Sequence, residues 1–358
     1  MGQGSRRITN RSQKEDAMNK VQIIGADVHK VHTQLVFLDQ SGKPIRTKRI
    51  KTNQVVSFFS NYEKILIGME VSIGSQHLAK KLISMGHTVK VMAVKKIKAF
   101  YQGPKNDVRD AEAIGKAAMM EFVSGIQLKS EEALIVQAYL RQRELVIKHR
   151  VSLCHQARGV LAEQGITCPV GQKVLIQKMF TLMNDDSISQ DLVLFLRYAY
   201  ENIQLQFKIE AQWDAKLKLL AKRNPAIKRI QTIPGFGPLN ALAFLVTIGN
   251  VQQYRRGRDV SAFIGLVPRQ FSSGEKIILG RISKRGASYT RTLLVHGARA
   301  FVGQGKKTDK NHQWVTNIKN KRGYNKATVA WANKMARIAW ALLMKKTDYS
   351  RINVEVAA

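Results

Sequence analysis

The first third of the chain alternates short β-branched runs with polar turns. Three such runs, at residues 21–27, 33–39 and 45–51, follow one another closely, and a polar turn at 40–43 separates the last two. Short runs with such tight connections are typical of neighbouring antiparallel strands. The pattern therefore predicts a three-stranded meander at the start of the sequence.

After the meander, helical and extended segments alternate. In order, the predicted elements are a helix at 54–62, a strand at 64–70, a helix at 75–85, a strand at 88–92, a helix at 95–102 and, after a Gly103-Pro104 break, a helix that begins near Asp107. The run at 64–70 is largely apolar, as in a strand buried inside a sheet. This order predicts an α/β domain with a ribonuclease-H-like mixed sheet over residues 21–125.

Residues 126–223 have a different pattern, in which apolar positions recur at helical spacing and Arg and Lys fill many of the other positions. The longest helical stretches cover 131–163 and 191–222, with a loop around 165–171. They predict an extended helical pair or a coiled coil. An ordinary helical linker with a solvated, charged face fits the same pattern.

A third domain is predicted over 224–346, and it should be mostly helical. It contains the segment IPGFGP at 233–238, a stretch rich in Gly and Arg at 255–291, and a long helix at 325–344. The remaining residues form a basic N-terminal tail at 1–20 and a C-terminal tail at 347–358.

The composition indicates a polyanionic partner. The 358 residues include 59 Lys and Arg against 25 Asp and Glu, a formal net charge of +34 that solubility alone does not require. No apolar stretch reaches the roughly 18 residues of a membrane span, and the basic start of the chain lacks the apolar core of a secretory signal. The two cysteines, Cys154 and Cys168, lack the spacing of a zinc site. We therefore expect a cytoplasmic protein that binds nucleic acid and no membrane.

Four acidic residues lie where the predicted sheet can gather them. Asp27 and Glu70 end two predicted strands, and strand ends at one edge of a sheet converge. Asp107 and Asp110 share one face at the start of a helix. Carboxylates this close repel one another unless a cation such as Mg²⁺ or Mn²⁺ holds them. A pair of such ions stabilises the attacking and leaving oxygens of a phosphoryl transfer.

Each acid also has an ordinary structural explanation. Asp27 precedes a turn, and Glu70 has many lysines to pair with. Asp107 fits a helix N-cap, and Asp110 fits the dipole of the same helix. His29, two residues from Asp27, either assists a site or borders it. The joint placement of the four acids in a basic chain favours the metal site.

Two further segments could contact phosphate. Gly235 and Gly237 precede an apolar helix, where glycine amides approach a phosphate closely, although an ordinary helix-helix turn fits the same residues. Ser273, beside Ser272, could attack a phosphate, although Ser-Ser-Gly is also typical of a solvent-exposed turn. The cations predicted to surround this serine and to bind nucleic acid are Arg269, Arg281, Lys284, Arg285 and Arg291.

These motifs resemble those of a known family. The segments IIGADVHK at 23–30, GME at 68–70 and KNDVRDA at 105–111 resemble the Asp-Glu-Asp-Asp domain of transposases of insertion-sequence family 110. The segments that resemble the C-terminal transposase domain of that family are IPG at 233–235, GLVPRQ at 265–270, SSG at 272–274 and ISKRG at 282–286. The likeness extends over about 21–299 and is greatest to the 1111 subgroup. The basic extension at 1–20 departs from the family pattern.

The resemblance implies a RuvC-like nuclease fold, a helical coiled-coil insertion and an enzyme that excises and inserts its own element. Magnesium would be held by Asp27, Glu70, Asp107 and Asp110. Ser273 would form a covalent phosphoserine with DNA, and Ser272 is the second candidate. The resemblance also implies an element-encoded guide RNA that pairs with donor and target DNA, in a bacterial, nucleoid-associated setting. The protein would be a homodimer or homotetramer whose active sites combine domains of different subunits.

Two other functions fit the residues. A metal-dependent nuclease of the Holliday-junction type needs only the carboxylates and forms no covalent intermediate. A non-catalytic nucleic-acid-binding protein needs neither the metal nor the serine. The segment around Ser273 separates the nuclease from a transposase.

Overall fold

The structure, a computed structural model, describes residues 21–101, 103–104, 106–273, 276–304 and 310–349. The predicted N-terminal tail and most of the predicted C-terminal tail lie outside the described residues. The described residues fall into two compact units, which divide between Lys129 and Ser130.

The first unit is built on a five-stranded mixed sheet. Its strands are β1 (Ile23–Val28), β2 (His32–Leu38), β3 (Pro44–Lys51), β4 (Leu66–Glu70) and β5 (Thr88–Met92). They lie side by side in the order β3-β2-β1-β4-β5. β1, β2 and β3 pair antiparallel, as in the predicted meander, whereas β4 and β5 run parallel to β1. The mixed sheet that the sequence predicts is therefore confirmed.

Helices cover both faces of this sheet. They are α1 (Val55–Ser60), α2 (Ser75–Ser84), α3 (Val94–Ile97) and α4 (Asp107–Met119). α1 and α2 pack on the face that presents Ile24, Ile67 and Met69. α4 packs on the opposite face.

The helix predicted at 95–102 is wrong in its length. α3 ends at Ile97, a 3-10 turn covers Lys98–Phe100, and the backbone of Tyr101 is extended. This extended residue turns its side chain toward the end of β4, where its hydroxyl bonds to Glu70. A tertiary contact thus replaces the last helical turn.

Small residues allow α4 to lie directly on the sheet. A Cβ atom on Gly25 of β1 would clash with the carbonyl oxygen of Ala111 and would lie 2.7 Å from the nitrogen of Gly115. A Cβ atom on Gly68 of β4 would lie 2.7 Å from the Cβ of Ala118. Such distances are shorter than van der Waals contact, so the glycines fix how closely the helix approaches the sheet.

The second unit begins with two long helices. They are α5 (Glu131–Glu163) and α7 (Gln190–Arg223), with the shorter α6 (Gln172–Leu182) between them. α5 and α7 run antiparallel, because the Tyr139 ring lies 5.1 Å from Trp213 towards one end and Leu161 clusters with Leu196 towards the other. The predicted helical pair is confirmed, and a supercoil between its helices stays a prediction.

The rest of the second unit is mostly helical, as predicted. Its elements are α8 (Pro225–Gln231), α9 (Pro238–Ile248), α10 (Gly257–Ile264), β6 (Pro268–Gln270), β7 (Leu279–Ile282), α11 (Ser288–Gln304), α12 (Lys310–Arg322) and α13 (Tyr324–Lys345). Trp331 of α13 stacks on Phe301 of α11 at 4.3 Å, in the same core as Phe244 of α9. β6 and β7 form a hairpin that the sequence pattern does not predict. Among the described residues, no helix combines the length and the apolar character that crossing a membrane requires.

Candidate functional site

The sheet places Asp27 and Glu70 next to each other. β1 and β4 pair in parallel with Ala26 opposite Met69, so Asp27 and Glu70 follow at the same level, near the carboxyl ends of both strands. Side chains alternate along a strand, so both carboxylates point to the face that α4 covers.

The amino end of α4 brings two more carboxylates to this edge of the sheet. Asn106 caps the helix by accepting a hydrogen bond from the Val108 N–H at 2.9 Å, and Asp107 and Asp110 lie in the first turn. At the other end, Lys90 of β5 donates to two of the last carbonyl oxygens at 3.0 and 2.7 Å. The alternative in which Asp107 is the N-cap is wrong, because the Asn106 side chain already fills that role.

Asp27, His29 and Asp107 form a compact cluster. His29 Nε2 lies 2.9 Å from Asp27 Oδ2 and 3.8 Å from Asp107 Oδ1. One potential metal-binding atom from each residue lies within 4.8 Å of the others. Burial raises the pKa of Asp27, His29 opposes this shift, and the charges of Asp110 and Asp107 add to it. A divalent cation would relieve the repulsion, and carboxylate oxygens are the ligands that magnesium prefers.

Glu70 is held by a tyrosine. The Tyr101 hydroxyl donates to Glu70 Oε2 at 3.1 Å. Burial raises the pKa of Tyr101, and the charges of Glu70, Asp110 and Asp27 raise it further. The hydroxyl therefore stays protonated, and remains a donor, at neutral pH. The structure thus brings all four predicted acids together at one end of the sheet.

Two residues beside the acids are not assigned to the metal site by the sequence, which leaves the role of His29 open and does not identify Tyr101. His29 follows Asp27 by two positions, so its nearness to the carboxylate could be expected but its contact with Asp107 could not. No pattern in the sequence marks Tyr101, because its position depends on the path of the chain after α3.

The predicted nucleophile lies near the tip of an exposed hairpin. Ser273 pairs with Lys276 across the turn, and the two residues between them lie outside the described part of the chain. Each described residue from 268 to 281 is exposed. The Ser272 hydroxyl accepts a hydrogen bond from Gln270 Nε2 at 3.0 Å. Neighbouring residues of a strand face opposite ways, so the two serines lie on different faces of the hairpin.

The predicted basic residues differ in their surroundings. Four of them are exposed on the hairpin and the loop after it, namely Arg269, Arg281, Lys284 and Arg285. Arg291 is partly buried and donates to the carbonyl oxygens of Ile264 and Arg285 at 2.8 and 3.1 Å. These two hydrogen bonds within the protein explain the position of Arg291 without a nucleic-acid contact. Nucleic-acid binding stays a prediction for all five.

Gly235 and Gly237 lie in a tightly packed turn before α9. Gly235 has a φ of 94°, and a Cβ atom there would lie 2.8 Å from the Gly297 oxygen of α11, so packing alone requires a glycine. Its carbonyl oxygen accepts a hydrogen bond from Asn240 Nδ2 at 2.8 Å. Gly237 is the N-cap residue of α9. Contact between these glycines and a phosphate stays a prediction.

Comparison with known proteins gives two family matches within the chain. Residues 24–165 match a family model described as the DEDD transposase of IS110, and residues 227–313 match one described as the transposase IS116/IS110/IS902 family. The first match contains the carboxylate cluster. The second contains the serine hairpin.

Several relatives match nearly the whole chain. The transposase for insertion sequence element IS1111A of Coxiella burnetii is 36% identical over 96% of this chain and 95% of its own length. The transposase for insertion sequence element IS1328 of Yersinia enterocolitica is 29% identical over 93% of this chain and 100% of its own length. With two transposase domains in the same order and relatives of this extent, the chain belongs to the insertion-sequence 110 family of transposases.

Proposed function

We propose that this transposase cuts and rejoins the DNA of its insertion sequence with metal-bound carboxylates and a serine nucleophile. Membership of the family implies DNA transposition. The observation that carries the finer proposal is the convergence of four acids on one edge of the sheet, namely Asp27, Glu70, Asp107 and Asp110. This grouping in a chain of net charge +34 supports a site for a cation and a phosphate together.

Asp27 and Asp107 lie close enough together to share a magnesium or manganese ion, and Glu70 and Asp110 complete the proposed ligand set. Asp27 is largely buried beside other carboxylates, and carboxylate oxygens are hard donors. When bound, such an ion polarises phosphate oxygens and stabilises the charge of a phosphoryl transfer. His29 orients Asp27 through its hydrogen bond, and Tyr101 orients Glu70.

Ser273 is the proposed nucleophile, and Ser272 is the second candidate. The contact between the Ser272 hydroxyl and Gln270 supports Ser273. The Ser273 Oγ forms a bond to phosphorus while the bond to the leaving sugar oxygen breaks. The serine proton passes to solvent, and the leaving oxygen takes up a proton from solvent to become a hydroxyl. Because the phosphoserine link is still a phosphodiester, a DNA hydroxyl can attack it later, release the serine and rejoin the strand. The exposed guanidinium groups of Arg269 and Arg285 stabilise the developing charge.

The proposal includes a guide RNA encoded by the element, and a homodimer or homotetramer whose sites combine domains of different subunits. The charge of +34 supports simultaneous binding of RNA and DNA, since both backbones carry regularly spaced phosphates. The proposal assigns a separate role to each domain. Residues 21–125 form the metal-binding domain, residues 126–223 a helical domain and residues 224–346 the domain that carries the serine. The contacts proposed for nucleic acid are Gly235, Gly237, Arg269, Arg281, Lys284, Arg285 and Arg291.

Trapping the covalent intermediate tests this proposal. The full-length chain, purified without ribonuclease so that any bound RNA is kept, is incubated with Mg²⁺ and duplex DNA that carries an end of its element. The products are separated under denaturing conditions. We expect a protein-DNA adduct for the unaltered chain and for Ser272→Ala. We expect none for Ser273→Ala or Asp27→Asn, because the first lacks the nucleophile and the second a metal ligand.

Each other outcome identifies a different function. Cleavage without any adduct supports a Holliday-junction-type nuclease and overturns the serine mechanism. An adduct that is lost in Ser272→Ala and kept in Ser273→Ala moves the nucleophile by one residue. Binding without cleavage or adduct, with either Mg²⁺ or Mn²⁺, supports a non-catalytic nucleic-acid-binding protein.

A further inference from the structure

The hairpin of β6 and β7 exposes several large apolar side chains. Phe271 is 62% exposed, Ile277 is 71% exposed and Leu279 is 61% exposed. Apolar side chains concentrated on one small exposed element are typical of a binding surface. The hairpin therefore has the composition of a surface that meets a partner.

The strand register divides these side chains between two faces. Ser273 pairs with Lys276, and the Phe271 N–H donates to the Ile278 carbonyl oxygen at 2.9 Å. The strands therefore keep one register from Gln270 to Ser273, after a register shift between Pro268 and Gln270. Side chains alternate along each strand. Phe271 therefore lies on the face of Ser273, whereas Ile277 lies on the other face.

Arg269 belongs to the same face as Phe271. A Cβ atom on Gly280 of the opposite strand would lie 3.4 Å from the Phe271 ring and 3.8 Å from the Arg269 Cβ, so both side chains lie over this glycine. The face thus presents a cation, an aromatic ring and a hydroxyl at alternate positions. Consecutive members of this row are about 7 Å apart along the strand.

The base of the hairpin is fixed to the helical core. A Cβ atom on Gly286 would clash with the carbonyl oxygen of Phe263, and one on Gly265 would clash with that of Arg285. The backbone after β7 therefore lies directly on the end of α10. Arg291 ties the two segments together by donating to a backbone carbonyl of each. A fixed base with exposed strands favours insertion of the hairpin into a partner.

The charge around the hairpin favours DNA as that partner. The exposed cations are Arg269, Lys276, Arg281, Lys284 and Arg285. The sequence between 268 and 291 contains six Arg and Lys against one acid, Glu275. Proteins that bend or open DNA combine such cations with apolar side chains that insert between base pairs and unstack them.

We propose that Phe271 is an apolar wedge that inserts into duplex DNA at a base step beside the phosphate that Ser273 attacks. The proposal rests on the proposed serine chemistry for its position on the DNA. A spacing of about 7 Å corresponds to about two base steps, since each strand of DNA rises by about 3.4 Å per step. By unstacking the bases at the cut, the wedge frees the strand for attack and exchange.

The fluorescence of 2-aminopurine tests the wedge without requiring cleavage. The probes are short duplexes that carry an end of the element, each with one 2-aminopurine at a successive position. They are bound to the full-length Ser273→Ala chain, purified without ribonuclease so that any bound RNA is kept. This substitution prevents the proposed chemistry. We expect a rise in fluorescence confined to one or two adjacent steps, because unstacking brightens this base. The rise is lost on adding Phe271→Ala and kept on adding Phe271→Trp.

Ile277→Ala is the matched control, because this apolar side chain is even more exposed and lies on the other face. It should leave the fluorescence rise unchanged. We expect Phe271→Ala to weaken binding to the duplex by roughly 5- to 150-fold, which corresponds to about 1–3 kcal/mol.

A rise that persists in Phe271→Ala, or no rise at any position, overturns the wedge. A changed sedimentation coefficient of Phe271→Ala with an unchanged fluorescence rise assigns the hairpin to contact between protein chains, and also overturns it. Failure of the serine mechanism is detected separately, as the absence of a DNA adduct in a chain that retains Ser273.

Discussion

Tyr101 donates a hydrogen bond to Glu70, so it would act on the proposed metal site through another residue. Phenylalanine keeps the ring and removes the donor hydroxyl. Loss of a group that orients a metal ligand typically changes metal affinity or activity by about 10- to 100-fold. We expect Tyr101→Phe to raise the Mg²⁺ concentration that gives half-maximal DNA cutting by roughly tenfold or more. A magnesium titration of the cutting rate measures this.

Tyr62 provides the matched control. It packs against the other face of the sheet, and within the described part of the chain its buried hydroxyl has no hydrogen-bond partner. Tyr62→Phe should leave the magnesium requirement unchanged. An equal requirement in Tyr101→Phe and the unaltered chain would show that Tyr101 does not support the metal site.

At the scale of single residues, the sequence identifies side chains whose position follows from a repeating pattern. Asp27 and Glu70 can be placed together because they end strands of one sheet, and Asp107 because it begins a helix. Tyr101 cannot be placed, because no periodicity fixes an extended residue after a short helix. The packing contact of Gly235 with α11 cannot be predicted from the sequence either, because it joins segments that are far apart in the chain.

Helix α4 determines where Asp107 and Asp110 lie relative to β1. Gly25→Ala would place a Cβ atom against the backbone of Ala111 and Gly115 and force the helix away from the sheet. We expect this substitution to lower the free energy of unfolding by about 1–3 kcal/mol, as overpacking does. DNA cutting should fall further than the loss of folded protein explains. Urea unfolding and a cutting assay on the same preparation measure the two effects.

Gly159 of α5 is the control for Gly25. A Cβ atom there would meet nothing within 4 Å, and alanine is favoured over glycine inside a helix by roughly 0.5–1 kcal/mol. Gly159→Ala should therefore stabilise the chain slightly and leave cutting unchanged. If Gly25→Ala proved equally harmless, close approach of α4 would not be required for the site.

The two long helices are joined to α11 through one guanidinium group. Arg143 of α5 contacts Asp214 and Glu210 of α7 and donates to the Tyr289 hydroxyl at 2.9 Å. Removing one partner of a buried ionic network leaves the other charges uncompensated. We expect Arg143→Ala to lower the free energy of unfolding by about 2–4 kcal/mol, measured by urea unfolding.

Arg141, two residues earlier, is exposed and serves as the control. Arg141→Ala should change stability by no more than about 0.5 kcal/mol, as is usual for surface substitutions. Equal effects of the two substitutions would mean that the contacts of Arg143 contribute nothing specific.

At the scale of elements, long periodic segments are well predicted. The helices at 131–163 and near 191–222, and the strand at 88–92, are confirmed almost to the residue. The hairpin of β6 and β7 is not predicted, because both of its faces are exposed and its apolar side chains point both ways. A strand without one buried face has no alternating pattern to detect.

At the scale of the whole molecule, the excess of basic residues can be counted directly from the sequence and predicts a polyanionic partner. If a guide RNA is part of the active complex, RNA of defined length should copurify with the chain. Ribonuclease treatment should then abolish cutting at the element ends while nonspecific binding to DNA persists, because the basic residues remain. Electrophoresis of the bound RNA and a cutting assay before and after treatment test this. Site-specific cutting that survives complete removal of RNA would exclude the guide.

The family and the order of the two transposase domains are evident from short motifs, because their residues bear the chemistry. The proposed joint action of acids in the first unit and a hydroxyl in the second on one phosphate depends on the assembled complex with nucleic acid, which the pattern of a single chain does not encode.

Peptide mass spectrometry of the trapped protein-DNA complex tests this joint action most directly. The prediction is one nucleotide-bearing peptide, modified at Ser273, in the unaltered chain with Mg²⁺, and no modified peptide in Asp27→Asn or without the metal. A modification on another residue, or one that forms equally well in Asp27→Asn, would contradict it.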